Sequence, residues 1–160
     1  MKEYGATKGA TFGKERAQIY GKALEDIERK KGKITPKAVV DEARDKSSPL
    51  HDYFDWDVST ASEKYWLYQA RTLINHITVV VNYETGDEQK AFFNVREEME
   101  DAKTVYVNIE RALSDRDMRG QILQNALAEL QYWKQKYKEY SEFRGIVNAI
   151  DKLDKRLKKK

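Results

Sequence analysis

The chain offers few residues with the chemistry of a catalytic site. It has no cysteine, and only His51 and His76 could act as neutral bases near pH 7. These histidines fall on separate predicted elements, and neither is accompanied by a Ser or Cys nucleophile motif. Asp55 and Asp57 form a D-x-D pair that could bind a hard cation, although carboxylates near a helix start usually form a cap and a solvated face. No Gly-rich phosphate loop is present either, so the sequence predicts no enzyme, no cofactor and no metal site.

The composition is typical of one soluble domain, or of a small domain with an appendage. Of the 160 residues 40% are hydrophobic, and no apolar run approaches the roughly 18 residues of a membrane span. Residues 1–18 lack the apolar core and the cleavage site of a secretory signal. We therefore expect a protein that has no membrane contact and stays in the compartment where it is made.

Positive charge is concentrated at the two ends of the sequence. Residues 1–31 contain eight Lys and Arg against five Asp and Glu, and residues 110–160 contain 13 against eight, whereas residues 32–57 and 58–109 are net acidic. Because affinity for nucleic acid comes mainly from neutralised phosphates, any contact with duplex DNA should involve both ends. The candidate phosphate-binding residues are Lys8, Lys14, Arg16, Lys37, Lys155, Arg156, Lys158 and Lys159. The alternative is that both ends are solvated and bind nothing.

Two helices are predicted after a flexible basic arm at residues 1–13. The first ends before Gly32, which stands where a left-handed cap is favoured. Its inward face consists of Ala17, Tyr20, Leu24 and Ile27. Thr35 and Pro36 form a cap and a first-turn proline, which predict a second helix over residues 36–44.

A short helix packed in the core is predicted within residues 47–57. Leu50, Tyr53 and Phe54 have helical spacing and should anchor it. Trp56 should then close the bend that follows.

The third predicted helix covers residues 59–75. Thr60 and Glu63 have the spacing of a capping box at its start. The inward stripe consists of Ala61, Tyr65, Trp66, Ala70, Leu73 and Ile74. With the two helices before it, this helix gives residues 14–75 the frame of a helix-turn-helix unit, a frame that plain helical cores share.

After the third helix the apolar pattern takes the period of a β-sheet. The three predicted strands cover residues 77–83, 90–95 and 104–109. They should form a three-stranded antiparallel meander, which needs a cover on one face.

That cover is expected from a long helix that starts at Ser114 and Asp117. Its apolar residues recur every three or four positions, and a second or bent helix continues towards the basic tail. This exceeds what one small sheet can bury, so residues 76–160 should also form a coiled-coil-like homo-oligomer. The expected interface residues are Leu127, Leu130, Trp133 and Tyr137. The predicted fold class is α+β, mainly α.

The pattern S-x-L-H-x-Y-F followed by a helix resembles the end of the helix-turn-helix in tetracycline-repressor-like regulators. The likeness covers about 20 residues, and it implies that Ser47, Ser48, His51 and Tyr53 face DNA. Asp52, Asp55 and Asp57 would bring like charge towards phosphate, which argues against simple groove reading.

From about Ala17 onward the chain also resembles an uncharacterised family of tailed bacteriophages and prophages. The likeness is carried by ITPKAVVDEARDKSSPLHDYFDWD, SEKYWLYQARTLI, VYVNIERALSD and LAELQYWKQKY, in this order. It implies a phage protein in the host cytoplasm or the virion, with no established activity. Two function classes follow: a DNA-binding protein that contacts phosphates, or a virion or assembly protein that contacts other phage proteins. An inhibitor of a host protein is a third alternative.

Overall fold

The computed structural model describes residues 2–57, 63–96 and 104–158. The chain divides into two compact units, an N-terminal unit of residues 1–114 and a C-terminal unit of residues 115–160. The described residues form mainly helices with a few short antiparallel strands, so the predicted class, α+β and mainly α, is confirmed. The boundary lies just before the long helix, and not at residue 76.

In chain order the elements are β1 (Tyr4–Ala6), α1 (Lys14–Lys31), α2 (Pro36–Ala43), α3 (Glu63–His76), β2 (Ile77–Asn82), β3 (Asp87–Lys90), β4 (Phe92–Arg96), β5 (Thr104–Asn108), α4 (Ile109–Ser114), α5 (Arg116–Tyr137) and α6 (Arg144–Leu157). Single 3₁₀ turns lie at His51–Tyr53 and Ser141–Phe143.

The first two helices confirm their sequence signals. The predicted inward face of α1 is buried, namely Ala17, Tyr20, Leu24 and Ile27, and α2 buries Ala38, Val39 and Ala43. Gly32 ends α1 with a φ of 73°, and its N–H donates to the Glu28 carbonyl over 2.7 Å. The Thr35 hydroxyl accepts from the Ala38 N–H over 3.1 Å, which caps α2.

The N-terminal residues do not form the predicted flexible arm. β1 pairs antiparallel with β2, with Tyr4 opposite Val79, and the Tyr4 side chain is buried. Its ring lies against α1 at Gly21, where any Cβ atom would overlap it. Burial, followed by the charge of Glu25, raises the pKa of the Tyr4 hydroxyl, which stays protonated. The prediction was wrong because this strand pairs with residues more than 70 positions away, which local composition does not reveal.

The strands form two small sheets and not one meander. β2 lies between β1 and β3, while β4 pairs with β5, with Phe93 opposite Val107. The predicted strand over residues 90–95 is interrupted at Ala91, whose N–H donates to the Ile77 carbonyl over 3.1 Å. β3 lies partly in the loop that was predicted between the first two strands. The sequence did not predict this strand, because its side chains are polar and show no apolar alternation.

Helix α1 gives the strands the cover that the sequence assigned to the long helix. Its buried Glu28 carboxylate accepts from the backbone N–H and the side-chain amide of Asn108, both over 2.9 Å. These bonds join the end of α1 to the end of β5 across 80 residues of sequence. By contrast, no described side chain of α5 is buried, so α5 is not the cover.

The predicted short helix after α2 is a single 3₁₀ turn, His51–Tyr53. Of the three predicted anchors Leu50 and Phe54 are buried, whereas Tyr53 is half-buried; Pro49 is exposed. The Trp56 indole N–H donates to the His51 carbonyl over 2.9 Å, which closes the bend.

Helix α3 is described from Glu63. The expected start at residue 59, with the Thr60 capping box and Ala61, lies outside the described residues. Most of the predicted inward stripe is buried, namely Trp66, Ala70, Leu73 and Ile74. Tyr65 was also expected inside, but 43% of its surface is exposed.

The C-terminal unit is a pair of helices. α5 is capped by the Asp115 carboxylate, which accepts from the N–H groups of Asp117 and Met118 over 3.0 and 2.9 Å. Ser114, the predicted cap, instead ends α4. α5 packs against α6 through an ion pair between Lys134 and Asp151. Trp133 and Tyr137 contact the ring of Phe143 in the turn between the helices.

Candidate nucleic-acid and assembly surfaces

Two of the four N-terminal candidates for phosphate contact form ion pairs with carboxylates. Lys14 pairs with Glu3 at 2.7 Å, and this bond raises the Lys14 pKa. Lys37 pairs with Asp41 at 3.3 Å along α2. Lys8 and Arg16 are exposed, Lys8 in a turn and Arg16 on α1. Lys14 and Arg16 lie on α1, and Lys8 lies in the turn between β1 and α1, so these residues do not form the expected flexible cationic arm.

The polar residues of the helix-turn-helix resemblance hold their own loop together. The Ser47 N–H and hydroxyl both donate to the Asp45 carboxylate over 2.8 Å, and these two bonds lower the Asp45 pKa. The Ser48 hydroxyl accepts from the Leu50 N–H over 3.3 Å. Nδ1 of His51 is 2.8 Å from the Ala43 carbonyl, and the ring stacks on a tryptophan. The segment therefore presents no recognition helix.

The surface of this loop is mainly acidic. Asp45, Asp52, Asp55 and Asp57 are all exposed. The guanidinium of Arg44 is partly engaged, since it lies 4.8 Å from the centre of the Trp66 ring. These charges would repel phosphate, so the loop is a poor candidate for a DNA-reading surface.

Both candidate histidines are engaged within the fold. Beside the contacts of His51, the His76 Nδ1 is hydrogen-bonded to the Thr7 hydroxyl. The Thr7 N–H also donates to the His76 carbonyl over 3.0 Å, which ties the chain after β1 to the end of α3. Among the residues that the structure describes, no cluster of His, Cys, Asp and Glu could hold a metal ion.

The net positive charge of the chain lies in the C-terminal unit. This unit contains 12 Lys and Arg against seven Asp and Glu, whereas the N-terminal unit contains 18 against 20. Lys152, Lys155 and Arg156 are exposed on α6. Lys158 pairs with Asp154 at 2.8 Å, and Lys159 lies outside the described residues.

The C-terminal unit also exposes large apolar side chains. Leu123 is 44% exposed and Leu130 is 37% exposed on α5. Tyr132, Tyr140 and Ile146 are exposed as well. The other predicted interface residues, Leu127, Trp133 and Tyr137, are half-buried.

A pocket in the N-terminal unit was not predicted from the sequence. Its volume is about 390 Å³, and it lies between residues 11–12, α1, the first 3₁₀ turn and α3. Four tyrosines line it, Tyr20, Tyr53, Tyr65 and Tyr68. The one signal for it was the aromatic stripe of the third helix, which the prediction assigned to the core.

Comparisons of the chain with protein-family models, with curated proteins and with solved structures found no match. Within the described ranges, no helix has the length and apolar composition that crossing a membrane requires.

Proposed function

We propose that this protein is a non-catalytic, oligomeric DNA-associated protein of a tailed bacteriophage. Copies join through the C-terminal unit, and the assembled units contact duplex DNA through its phosphates. The phage setting rests on the sequence resemblance. The observation that carries the rest is that α5 and α6 combine uncovered apolar side chains with a net excess of basic residues.

The apolar side of the helix pair supports self-association. α5 extends over 22 residues without a buried side chain, and Ile150 is the one buried residue among those described in α6. Helices in water are stabilised mainly by packing of an apolar face, which this pair achieves only in part. A second copy offers the same uncovered residues, and a two-fold arrangement would cover both sets at once.

The basic side of the pair supports phosphate contact. Lys152, Lys155 and Arg156 are spaced by three and four positions along α6, so they share one helical face. Lysines are point charges that suit phosphate better than base edges. Joining two units places two such faces on one particle, which raises avidity for a long duplex.

A DNA mobility shift across a salt series tests the basic face. Replacing Lys152, Lys155 and Arg156 together by Gln should weaken binding to unrelated duplexes equally and reduce the salt slope by about 0.9 per lost phosphate contact. The matched control replaces Lys22, Lys31 and Lys46, which are exposed in the N-terminal unit, by Gln. An equal loss in both triple variants would show that net charge alone matters, and not the α6 face.

Light scattering tests the apolar face. Leu130→Glu should convert an oligomer into monomers, because it places a charge among the uncovered side chains of α5. Leu113→Glu is the control, since this exposed leucine lies in the N-terminal unit. A monomeric wild-type protein would remove the oligomer from the proposal.

A virion or assembly protein without DNA contact is the second candidate. It is favoured because Ser47, Ser48 and His51 make hydrogen bonds within the protein. The segment that resembles a helix-turn-helix therefore offers no surface for reading DNA bases. The same two experiments separate the candidates. Assembly that is lost in Leu130→Glu, together with no DNA shift at low salt, would favour the second candidate.

A further inference from the structure

The tyrosine-lined pocket has the size and shape of a small-molecule site. Its volume of about 390 Å³ falls at the lower end of the roughly 300–1,000 Å³ range of such sites. It is bounded by four separate parts of the N-terminal unit, so its walls are held by the fold and not by one loop. A single molecule about the size of a mononucleotide suits this volume.

The pocket walls carry two groups of aromatic side chains, one buried or half-buried and the other exposed. Tyr20 and Tyr53 meet edge to face with ring centres 5.7 Å apart, and both also contact Phe12 edge to face. Tyr65 and Tyr68 lie three positions apart on α3 and are 43% and 62% exposed. Exposed tyrosines at the mouth of a fixed aromatic wall can stack on a flat ring, and such stacking is worth about tenfold or more in affinity per base.

Gln69, which lines the pocket, carries one polar atom without a partner. Oε1 of Gln69 is buried, and it accepts no hydrogen bond from the residues that the structure describes. A buried acceptor without a donor is destabilising, so a ligand that supplies an N–H to the Gln69 amide would remove the cost, once this half-buried side chain turns its Oε1 towards the pocket. The edges of nucleobases carry such N–H groups.

The charged groups at the pocket restrict the ligand further. Arg16 is exposed and lines the pocket, and its planar guanidinium suits a phosphate. Asp52 also lines the pocket and is exposed. A ligand that is only an anion is therefore disfavoured by Asp52. A nucleobase with N–H donors that also carries one phosphate suits both charges, its N–H groups the Asp52 carboxylate and its phosphate the Arg16 guanidinium.

We propose that this pocket binds a nucleotide, with its base against Tyr65 and Tyr68, the edge of the base donating to Oε1 of Gln69, and its phosphate at Arg16. This site lies in the N-terminal unit and does not depend on the C-terminal surfaces. The nucleotide is either a free mononucleotide or a residue of single-stranded nucleic acid, since both present the same chemistry.

Isothermal titration of the full chain tests the site, with deoxyadenosine monophosphate, deoxyadenosine and a short single-stranded oligodeoxyadenylate as probes. The monophosphate should bind saturably. Tyr68→Ala and Gln69→Met should each weaken it about tenfold or more. Tyr83→Ala is the matched control, an exposed tyrosine of the same unit that does not line the pocket, and it should bind as wild type does.

Two comparisons of probes give the role of Arg16 and the source of the nucleotide. Wild type should prefer the monophosphate over the nucleoside, and Arg16→Gln should remove that preference. Equal affinity for monophosphate and oligonucleotide assigns the site to free nucleotide, whereas about tenfold tighter binding of the oligonucleotide assigns it to single strands. No saturable binding of any probe, or binding that Tyr68→Ala and Gln69→Met leave unchanged, overturns the proposal.

The melting temperature separates a binding role of Gln69 from a structural one. Because methionine has a similar shape and no polar group to satisfy, Gln69→Met should melt at or above the wild-type temperature without ligand. Its ligand affinity should nevertheless fall. A lower melting temperature with unchanged affinity would show that Gln69 serves the fold, and the proposal would then be wrong.

Discussion

The two units of this chain bury their apolar side chains very differently. In the N-terminal unit α1, α2, α3 and the strands enclose a core that includes Leu24, Leu73 and Ile77, which are fully buried. Among the described residues of the C-terminal unit, Ile150 alone is buried, while several leucines and tyrosines are exposed. The first unit is thus stabilised by its own core. The second leaves large apolar side chains exposed.

The two units also differ in how they use charged side chains. The N-terminal unit uses many of its charges internally, as in the ion pairs of Lys2 with Glu25 at 2.8 Å and with Glu110 at 3.0 Å. Burial lowers the Lys2 pKa, but these bonds outweigh burial, so the pKa lies above its ordinary value. The exposed cations of α6 have no such role in the described residues. Both units thus use some charges in ion pairs, and the net excess of basic residues lies in the C-terminal unit.

The largest expected effect is loss of a core side chain in the N-terminal unit. Leu50→Ala should reduce the free energy of unfolding by about 2–5 kcal/mol, because Leu50 is 0% exposed and its removal leaves a cavity. Thermal and denaturant unfolding would measure it. Leu113→Ala, at an exposed position, should change stability by less than about 0.5 kcal/mol. A similar small effect at Leu50 would mean that the loop can detach from the core.

The elements that the sequence predicted well are those with local signals. α1 was predicted with its face and its Gly32 end, because a helix repeats every three or four residues and its caps lie within one turn. Leu50 and Phe54 were placed correctly in the core for the same reason. Their helix shrank to one 3₁₀ turn because the serines and aspartates of this segment bond to their own backbone.

The features that the sequence did not predict depend on distant partners. β1 pairs with β2 across the whole helical segment, and the Glu28–Asn108 bonds join residues 80 positions apart. Tyr65 has the spacing of a core residue, yet it lines a pocket that requires residues 11–12 and the first 3₁₀ turn. No pattern within one helix distinguishes a buried aromatic face from a pocket wall. The excess of basic residues near the C-terminus was visible in the sequence, because net charge can be counted without knowing which residues meet in the fold.

The second prediction tests the close packing of β1 on α1. Gly21→Ala should cost about 1–3 kcal/mol, because the added methyl group would overlap the Tyr4 ring. Denaturant unfolding of Gly21→Ala, Tyr4→Ala and the double variant gives the coupling between the two sites. Fully additive effects would contradict the proposed overlap.

The third prediction applies the same substitution to the C-terminal unit and expects the opposite sign. Gly120 lies inside α5, and an added Cβ would have no atom within 4 Å. Gly120→Ala should therefore stabilise α5 by about 0.5–1 kcal/mol, since glycine loses more backbone entropy in a helix. The helical signal in circular dichroism during thermal unfolding would report it. A destabilised variant would instead place a partner surface over Gly120, which would locate the oligomer contact at this end of α5.

The smallest predicted effect concerns pH and the loop that resembles a recognition segment. Hydrogen bonds from the Ser47 N–H and hydroxyl favour the charged form of Asp45 and lower its folded pKa below the ordinary 3.8. Its contribution to stability is therefore present above that ordinary value and is lost as pH falls through the folded pKa. Asp45→Asn should lower the melting temperature near neutral pH, and this difference from wild type should shrink as pH falls through the folded pKa of Asp45. Ser47→Ala removes only the hydroxyl bond and should show part of the same dependence. If the difference between Asp45→Asn and wild type grows as pH falls, the Ser47 bonds do not stabilise the charged form, and the serine would be available to a partner.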